Sequence, residues 1–386
     1  MNKMWNVLRI ALITLLVLTI AFILFVVGFI WYKFYDITGL TLYNDEPISE
    51  IIPFDDRFYF ITEDGEGYVA GGYAHSSSRI YLNSQSYENE KLGIPSPVKF
   101  SDEKIEKLYA YSDRALFITE SKDLYRAFDE KSEYICSDII YADHATWRAD
   151  TVIYAIDTSN TLYSISEQGE KVFLCDNVKI VKAYRERIFV LRTNGVFCEL
   201  IKTEAGSYEF SNPIFENVAA FDVMDTSTRF DGVKFIFDDE KAINTPLFNV
   251  LTENGDLYVK GVYNLLCCTR ASSEFPEPFE LEEWTLISDN VNSFDLAPMG
   301  TIFIKNDTSC AYYGFDVDIR PDEGFEVKHR ELFSEGAVSA YTADDVFVIV
   351  KTSENKYFIW SGMFNVFTRT SDEYDSLDDA PFVLEP

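Results

Sequence analysis

Phe248-Asn-Val-Leu-Thr-Glu-Asn-Gly-Asp-Leu-Tyr258 reads as two short strands around a tight turn. Its apolar run is broken by Asn254-Gly255, a pair that accepts positive φ at low cost and marks a two-residue hairpin turn. The phrase recurs. Clear copies are Phe58-Tyr-Phe-Ile-Thr-Glu-Asp-Gly-Glu-Gly-Tyr68, Leu116-Phe-Ile-Thr-Glu-Ser-Lys-Asp-Leu-Tyr125, Val152-Ile-Tyr-Ala-Ile-Asp-Thr-Ser-Asn-Thr-Leu-Tyr163 and Ile188-Phe-Val-Leu-Arg-Thr-Asn-Gly-Val-Phe197. Weaker ones are Ile302-Phe-Ile-Lys-Asn-Asp-Thr-Ser-Cys-Ala-Tyr312 and Phe347-Val-Ile-Val-Lys-Thr-Ser-Glu-Asn-Lys-Tyr357, which makes seven. Asp64-Gly65 and Asn194-Gly195 repeat the turn signal.

An apolar segment precedes most copies: residues 105–111, Asn177-Val-Lys-Ile-Val181, Asn217-Val-Ala-Ala-Phe221, Asn290-Val-Asn-Ser-Phe294 and Ala337-Val-Ser-Ala-Tyr341. Each unit therefore gains a further strand, and the 353 residues after Lys33 divide into units of about 50, the length of a propeller blade. A lone hairpin cannot bury both faces, and radial closure protects most strand edges. The expectation is an all-β, seven-bladed propeller. A linear β-solenoid needs shorter, more regular rungs, and a pair of two-sheet sandwich domains is the alternative.

These units resemble the repeat of RCC1-type (regulator of chromosome condensation) seven-bladed propellers. The likeness lies in the order Val-x-x-apolar, turn, apolar strand, Thr-x-x-Gly-x-Leu-Tyr and a closing small residue, with Gly71-Gly72, Gly261, Gly314 and Trp360-Ser-Gly362 where that family often has Trp-Gly. It covers residues 51–362. The family's Gly-x-x-His is replaced by Phe54-Asp-Asp-Arg57, Ser112-Asp-Arg114 and Arg185-Glu-Arg187. The resemblance implies an RCC1-like fold and no activity, since a fold hosts many functions. The exchange-factor role of the family's nuclear founder needs a cytosolic or nuclear GTPase, which an extracytoplasmic domain does not meet.

That location follows from the N-terminus. Between Ile10 and Tyr32 the only polar side chains are Thr14 and Thr19, and about 20 apolar residues suffice to cross a bilayer. A cleaved signal peptide would have an apolar core of about 7–15 residues and a small-residue cleavage site, and Gly28-Phe-Ile-Trp-Tyr-Lys33 offers none. Residues 10–32 are expected to form a transmembrane helix held in membrane lipid, with Ile10 at its start and Trp31 and Tyr32 at an interface. Lys3 and Arg9 precede the span, whereas Asp36, Asp45 and Glu46 follow it, so residues 1–9 are expected to be cytoplasmic. Residues 33–50 then form a linker and first strand, 51–369 the propeller and 370–386 an acidic tail, with a closing strand near residues 364–367.

The chain has 386 residues and a net charge of −31. Residues 1–33 hold three basic side chains and no acid, so removing their charge leaves −34 on the remainder. Nucleic acid is excluded as a partner, because phosphate backbones require excess Lys and Arg. An apolar fraction of 47% excludes general disorder.

Little points to chemistry. His75, His144 and His329 lie in different units, without the spacing of a zinc site, and are expected to be loop histidines. Cys136, Cys175, Cys198, Cys267, Cys268 and Cys310 permit fifteen disulfide pairings, yet so large a core does not need them. Cys198 and Cys310 sit in strand-like positions, as buried thiols do. Asp55-Asp56, Asp238-Asp239-Glu240 and Asp378-Asp379 are dense enough to supply an acid–base pair, but they are expected to be solvated turn acids. Asp375-Ser-Leu-Asp-Asp379 lacks the calcium-loop pattern, and Gly65-Glu-Gly67 joins strands where a phosphate cradle opens a helix. Lys179, Lys182, Arg185 and Arg187 are expected to neutralise neighbouring blades' carboxylates. Neither cofactor nor metal is expected.

Residues 73–100, 222–247 and 262–289 are longer than the other connections. If they project from one face they form a recognition surface. The functional expectation is a protein- or polymer-binding scaffold whose partner is an envelope protein or surface polymer. The alternative is a membrane-tethered carbohydrate-active enzyme using carboxylates in the propeller channel. Convergent carboxylates with raised pKa favour the second.

Overall fold

The computed structural model describes residues 48–54, 57–71, 94–111, 114–128, 131–147, 150–166, 168–184, 186–224, 228–230, 235–237, 246–263, 279–315, 327–342, 346–361 and 382–384. They form seven four-stranded antiparallel sheets, each a meander of successive strands, and one short extra hairpin. Blades 1 to 7 begin with the innermost strands Ile48–Phe54, Ile105–Tyr111, Ile139–Trp147, Val178–Tyr184, Val218–Met224, Val291–Ala297 and Ala337–Tyr341. Each repeated phrase supplies the second and third strands of its blade, as in Leu247–Thr252 and Leu257–Tyr263 of blade 5.

The core lies between the blades. Strand alternation sends Ala115 and Phe117 of blade 2 into a cluster with Tyr59, Val69 and Phe100 of blade 1. Leu116 and Ile118, one residue out of phase, pack with Ile139, Ile153 and Ala155 of blade 3. Second strands are thus apolar on both sides, which gives the continuous runs in the sequence. Truncating a ring such as the wholly buried Phe117 removes contacts worth about 3–5 kcal/mol. The ring of blades closes where blade 7 meets blade 1: Tyr357 Oη donates to the Ile48 carbonyl at 3.2 Å and Lys351 Nζ to that of Ser49 at 2.6 Å. Tyr341 Oη also donates to the Glu50 carboxylate.

The tight turns bind the blades in series. In blade 1, Gly65 N–H donates to the Thr62 carbonyl and Thr62 N–H to that of Glu66, while the Thr62 hydroxyl accepts from Glu66 N–H. The left-handed residue of the turn then offers its carbonyl to the first strand of the next blade. These bonds, at 2.8–3.0 Å, run from the amides of Ile105, Ile139, Val178, Val218, Val291 and Ala337 to Gly65, Lys122, Asn160, Gly195, Gly255 and Thr308. All six turn residues, and Asn355 of blade 7, have positive φ.

This geometry corrects the expectation of two-residue turns. Only the second member of Asp64-Gly65, Asn194-Gly195 and Asn254-Gly255 has positive φ. The loop is a type I turn followed by a left-handed bulge residue, so one such residue suffices and Lys, Asn or Thr can occupy it. Gly261 answers a different need, since a Cβ there would run into the carbonyl of Pro246.

Two further differences concern the ends of units. The fourth strand of blade 7 is Phe382–Leu384, paired with Tyr357, Phe358 and Ile359, so the expected solvated tail contains a strand. The apolar run Phe382-Val-Leu384 suits that edge, whereas residues 364–367 lie outside the described residues. The long stretch 222–247 includes a separate hairpin, Thr228–Phe230 with Phe235–Phe237, set between the first and second strands of blade 5.

Two stability changes follow. Lys122→Gly relieves a left-handed non-glycine residue and should raise stability by about 0.5–1 kcal/mol, despite losing an exposed ion pair with Glu106. Gly255→Val adds a Cβ about 3.1 Å from the Val291 carbonyl at φ 86° and should lower stability by more than about 1 kcal/mol. Thermal unfolding checks both, and a fall for the first or no change for the second contradicts the turn geometry.

Candidate functional site

The innermost strands share one register. Each has an irregularity near its start and then pairs regularly with its neighbour. The residue four places after each strand's first forms a ring: Ile52, Tyr109, Asp143, Lys182, Asp222, Asp295 and Tyr341. Blades 3 to 6 thus contribute three carboxylates and one ammonium at equivalent positions.

Lys182 Nζ of blade 4 lies 3.2 Å from Asp222 Oδ1 and 3.3 Å from Oδ2 of blade 5. Burial acts to lower the Lys182 pKa, but Asp222, Tyr141 and Asp143 outweigh it and hold the ammonium well above its ordinary value. Both partners keep about a fifth of their side-chain surface accessible. Asp222 Oδ1 also accepts from Val223 N–H at 2.7 Å.

The other two carboxylates reach across to the following blade. Asp143 Oδ2 accepts from Ala183 N–H at 2.6 Å, and Asp295 Oδ2 from Thr342 N–H at 2.8 Å. Burial raises the Asp143 pKa, opposed by Lys182 and the Ala183 amide. Asp295 is pushed up to about 7, by burial foremost and further by Asp222, against the Thr342 amide and the more distant Lys182. Tyr109 and Tyr141 complete one side with ring centroids 5.3 Å apart.

A second polar knot pins blade 5 to blade 6. Asn249 Nδ2 donates to Thr301 Oγ1 at 2.7 Å, and the Tyr263 hydroxyl lies 2.8 Å from the same oxygen, all three residues being wholly buried. Asn249 was signalled by its position: a lone amide inside an apolar strand.

The expected chemistry is mostly distributed elsewhere. His144 is buried in the first strand of blade 3, and His329 lies on the outer strand of blade 6 beside Phe303. Among the described residues no three His, Cys, Asp or Glu side chains converge to hold a metal ion. Cys136, Cys175, Cys198 and Cys310 are buried and unpaired. Burial pushes Cys175 and Cys310 to about 12 and Cys198 to about 11, so these thiols stay protonated at neutral pH. In the basic stretch, Lys182 pairs across blades, Lys179 Nζ donates to the Ala219 carbonyl, and Arg187 binds Glu199 of its own blade at 2.8 and 2.7 Å. Ile10, Trp31, Tyr32, His75, Arg185, Cys267, Cys268 and the three acidic clusters lie outside the described residues.

The two faces differ. Every connection from second to third strand spans four residues, whereas residues 72–93, 225–246, 264–278, 316–326 and 362–381 all join strand ends on the opposite face. The alternation of an antiparallel meander fixes this placement. Of the long stretches 73–100, 222–247 and 262–289, the first and last overlap the outer strands Ile94–Ser101 and Phe279–Ser288, and the connections left over attach to strand ends on one side.

Comparisons with solved structures return chains of low similarity. Prp20p from Saccharomyces cerevisiae, described with its binding to Gsp1p and histones, is 10% identical over 78% of this chain and 81% of its own, with a TM-score of 0.45. Human WBSCR16 is 11% identical over 75% and 84%, with a TM-score of 0.47. BamB from Moraxella catarrhalis is 12% identical over 81% of each chain, with a TM-score of 0.37. No protein-family model and no curated protein matches the sequence. The propeller assignment rests on the seven sheets themselves.

The ring gives two predictions. Because the folded pKa of Asp295 is raised, folding favours its protonated form below about pH 4, and this contribution is lost as pH rises through about 7. Asp295→Asn should match the parent near pH 4 and become progressively more stable than it towards pH 8; denaturant midpoints showing a pH-independent difference contradict this. Lys182→Met removes the ammonium partner of Asp222 and should cost about 2–4 kcal/mol, with partial recovery in Lys182→Met/Asp222→Asn. Equal losses in the single and double variants overturn the coupling.

Proposed function

We propose that this chain is a single-pass, membrane-anchored propeller that works outside the cytoplasm as a binding scaffold for an envelope protein or a surface polymer. The observation that carries the reading is the separation of the faces, with the longest connections attached to one side of a body whose other side carries seven turns of equal length. A rigid scaffold with variable connections on one face suits recognition. The uninterrupted apolar stretch of residues 10–32 and the flanking charges support anchoring in lipid with the propeller extracytoplasmic.

The axial carboxylates favour a second reading, a tethered carbohydrate-active enzyme, through one feature: Asp295 is held near 7, suited to an acid–base group. Against it, Asp143 and Asp295 each accept from an amide of the adjoining blade and Asp222 is paired with Lys182, a use in joining blades.

Photocrosslinking in intact cells separates these readings. Crosslinkers placed at Gln168 and Ala205, exposed positions on the long-connection face, should capture the same macromolecule, and one at Asn194 among the tight turns should not. Absence of a reproducible adduct, together with turnover of a glycan that Asp295→Asn abolishes, overturns the scaffold. A propeller wholly protected from protease added to intact cells overturns its extracytoplasmic location.

A further inference from the structure

We infer that the tight-turn face of the propeller is the one turned towards the bilayer, so that the long-connection face looks away from it; this rests on the anchor reading of residues 10–32. The argument is the direction of the chain. Ile48, the first described residue, pairs with Thr62, the residue that enters the tight turn of blade 1. Its carbonyl accepts from Tyr357, which directly follows the tight turn of blade 7. The chain therefore enters the propeller on the tight-turn side. Leu384 pairs with the same Tyr357, so the last described strand ends on that side too.

Residues 33–47 lie between the apolar stretch and Ile48, and fifteen residues reach at most about 50 Å. Strands of seven residues separate the two faces by about 23 Å. A tether that leaves the propeller on one face and runs directly to the membrane keeps that face nearer the bilayer.

The test uses the full-length chain in nanodiscs of phosphatidylcholine containing a lipid-linked energy acceptor, with one donor fluorophore introduced at Asn194 or at Ala205. Transfer from Asn194 should exceed that from Ala205 by about twofold or more, given faces about 23 Å apart. Equal transfer from both positions, or greater transfer from Ala205, overturns the inference. Alkaline extraction of native membranes reports on the anchor separately: retention of the full chain and release of a chain lacking residues 10–32 uphold the underlying reading, and release of the full chain overturns both.

Discussion

The backbone hydrogen bond from the first amide of one blade to the tight-turn carbonyl of the blade before it sets the architecture. Six such bonds, from Ile105 to Ala337, place each innermost strand against its predecessor at the same height. They require a carbonyl aimed out of the hairpin, which a left-handed residue at the end of a type I turn supplies. The turn is also held within its own blade, since the amides of Glu120, Thr193, Glu253, Asn306 and Ser353 donate to Lys104, Asn177, Asn217, Asn290 and Gly336. Local turn chemistry thus becomes long-range order. Apolar packing between blades supplies the stability, and these bonds fix its register.

Because register is shared, equivalent residues meet around the axis. Asp143, Lys182, Asp222 and Asp295 come from strands about 40 residues apart or more, yet their charges act on one another. Three acids beside one base would repel if all were ionised and unsupported. Amides of neighbouring blades and the Lys182 ammonium offset much of that cost, and the pKa of Asp295 is raised by burial first and by Asp222 second. The turns from second to third strand keep one length in all seven blades, and the longest connections lie on the opposite face.

Much of this was legible in the sequence. The seven hairpins, their preceding strands and the buried thiols Cys198 and Cys310 could be read from apolar runs and turn residues, because those depend on neighbours in the chain. Asn177, Asn217 and Asn290 marked blade entries for a physical reason: each adopts positive φ there. The turn type was less legible, since Asn-Gly suits several hairpins and the seven sites differ in residue. The axial ring was not seen because its members share a position and no residue type. Lys182 stood out within the basic stretch, but a segment that ends at Phe221 stops one residue short of its partner Asp222. Phe382–Leu384 was obscured by the acidic residues before it, as composition averages over a strand of three residues.

Residue-resolved hydrogen exchange of the full chain tests the central claim most directly. The amides of Ile105, Ile139, Val178, Val218, Val291 and Ala337 should exchange as slowly as those of the buried second strands, such as Phe117 and Val190. Exchange at these six positions as fast as in the exposed turn around Asp64 would contradict the account, leaving the blades held together by side-chain packing alone.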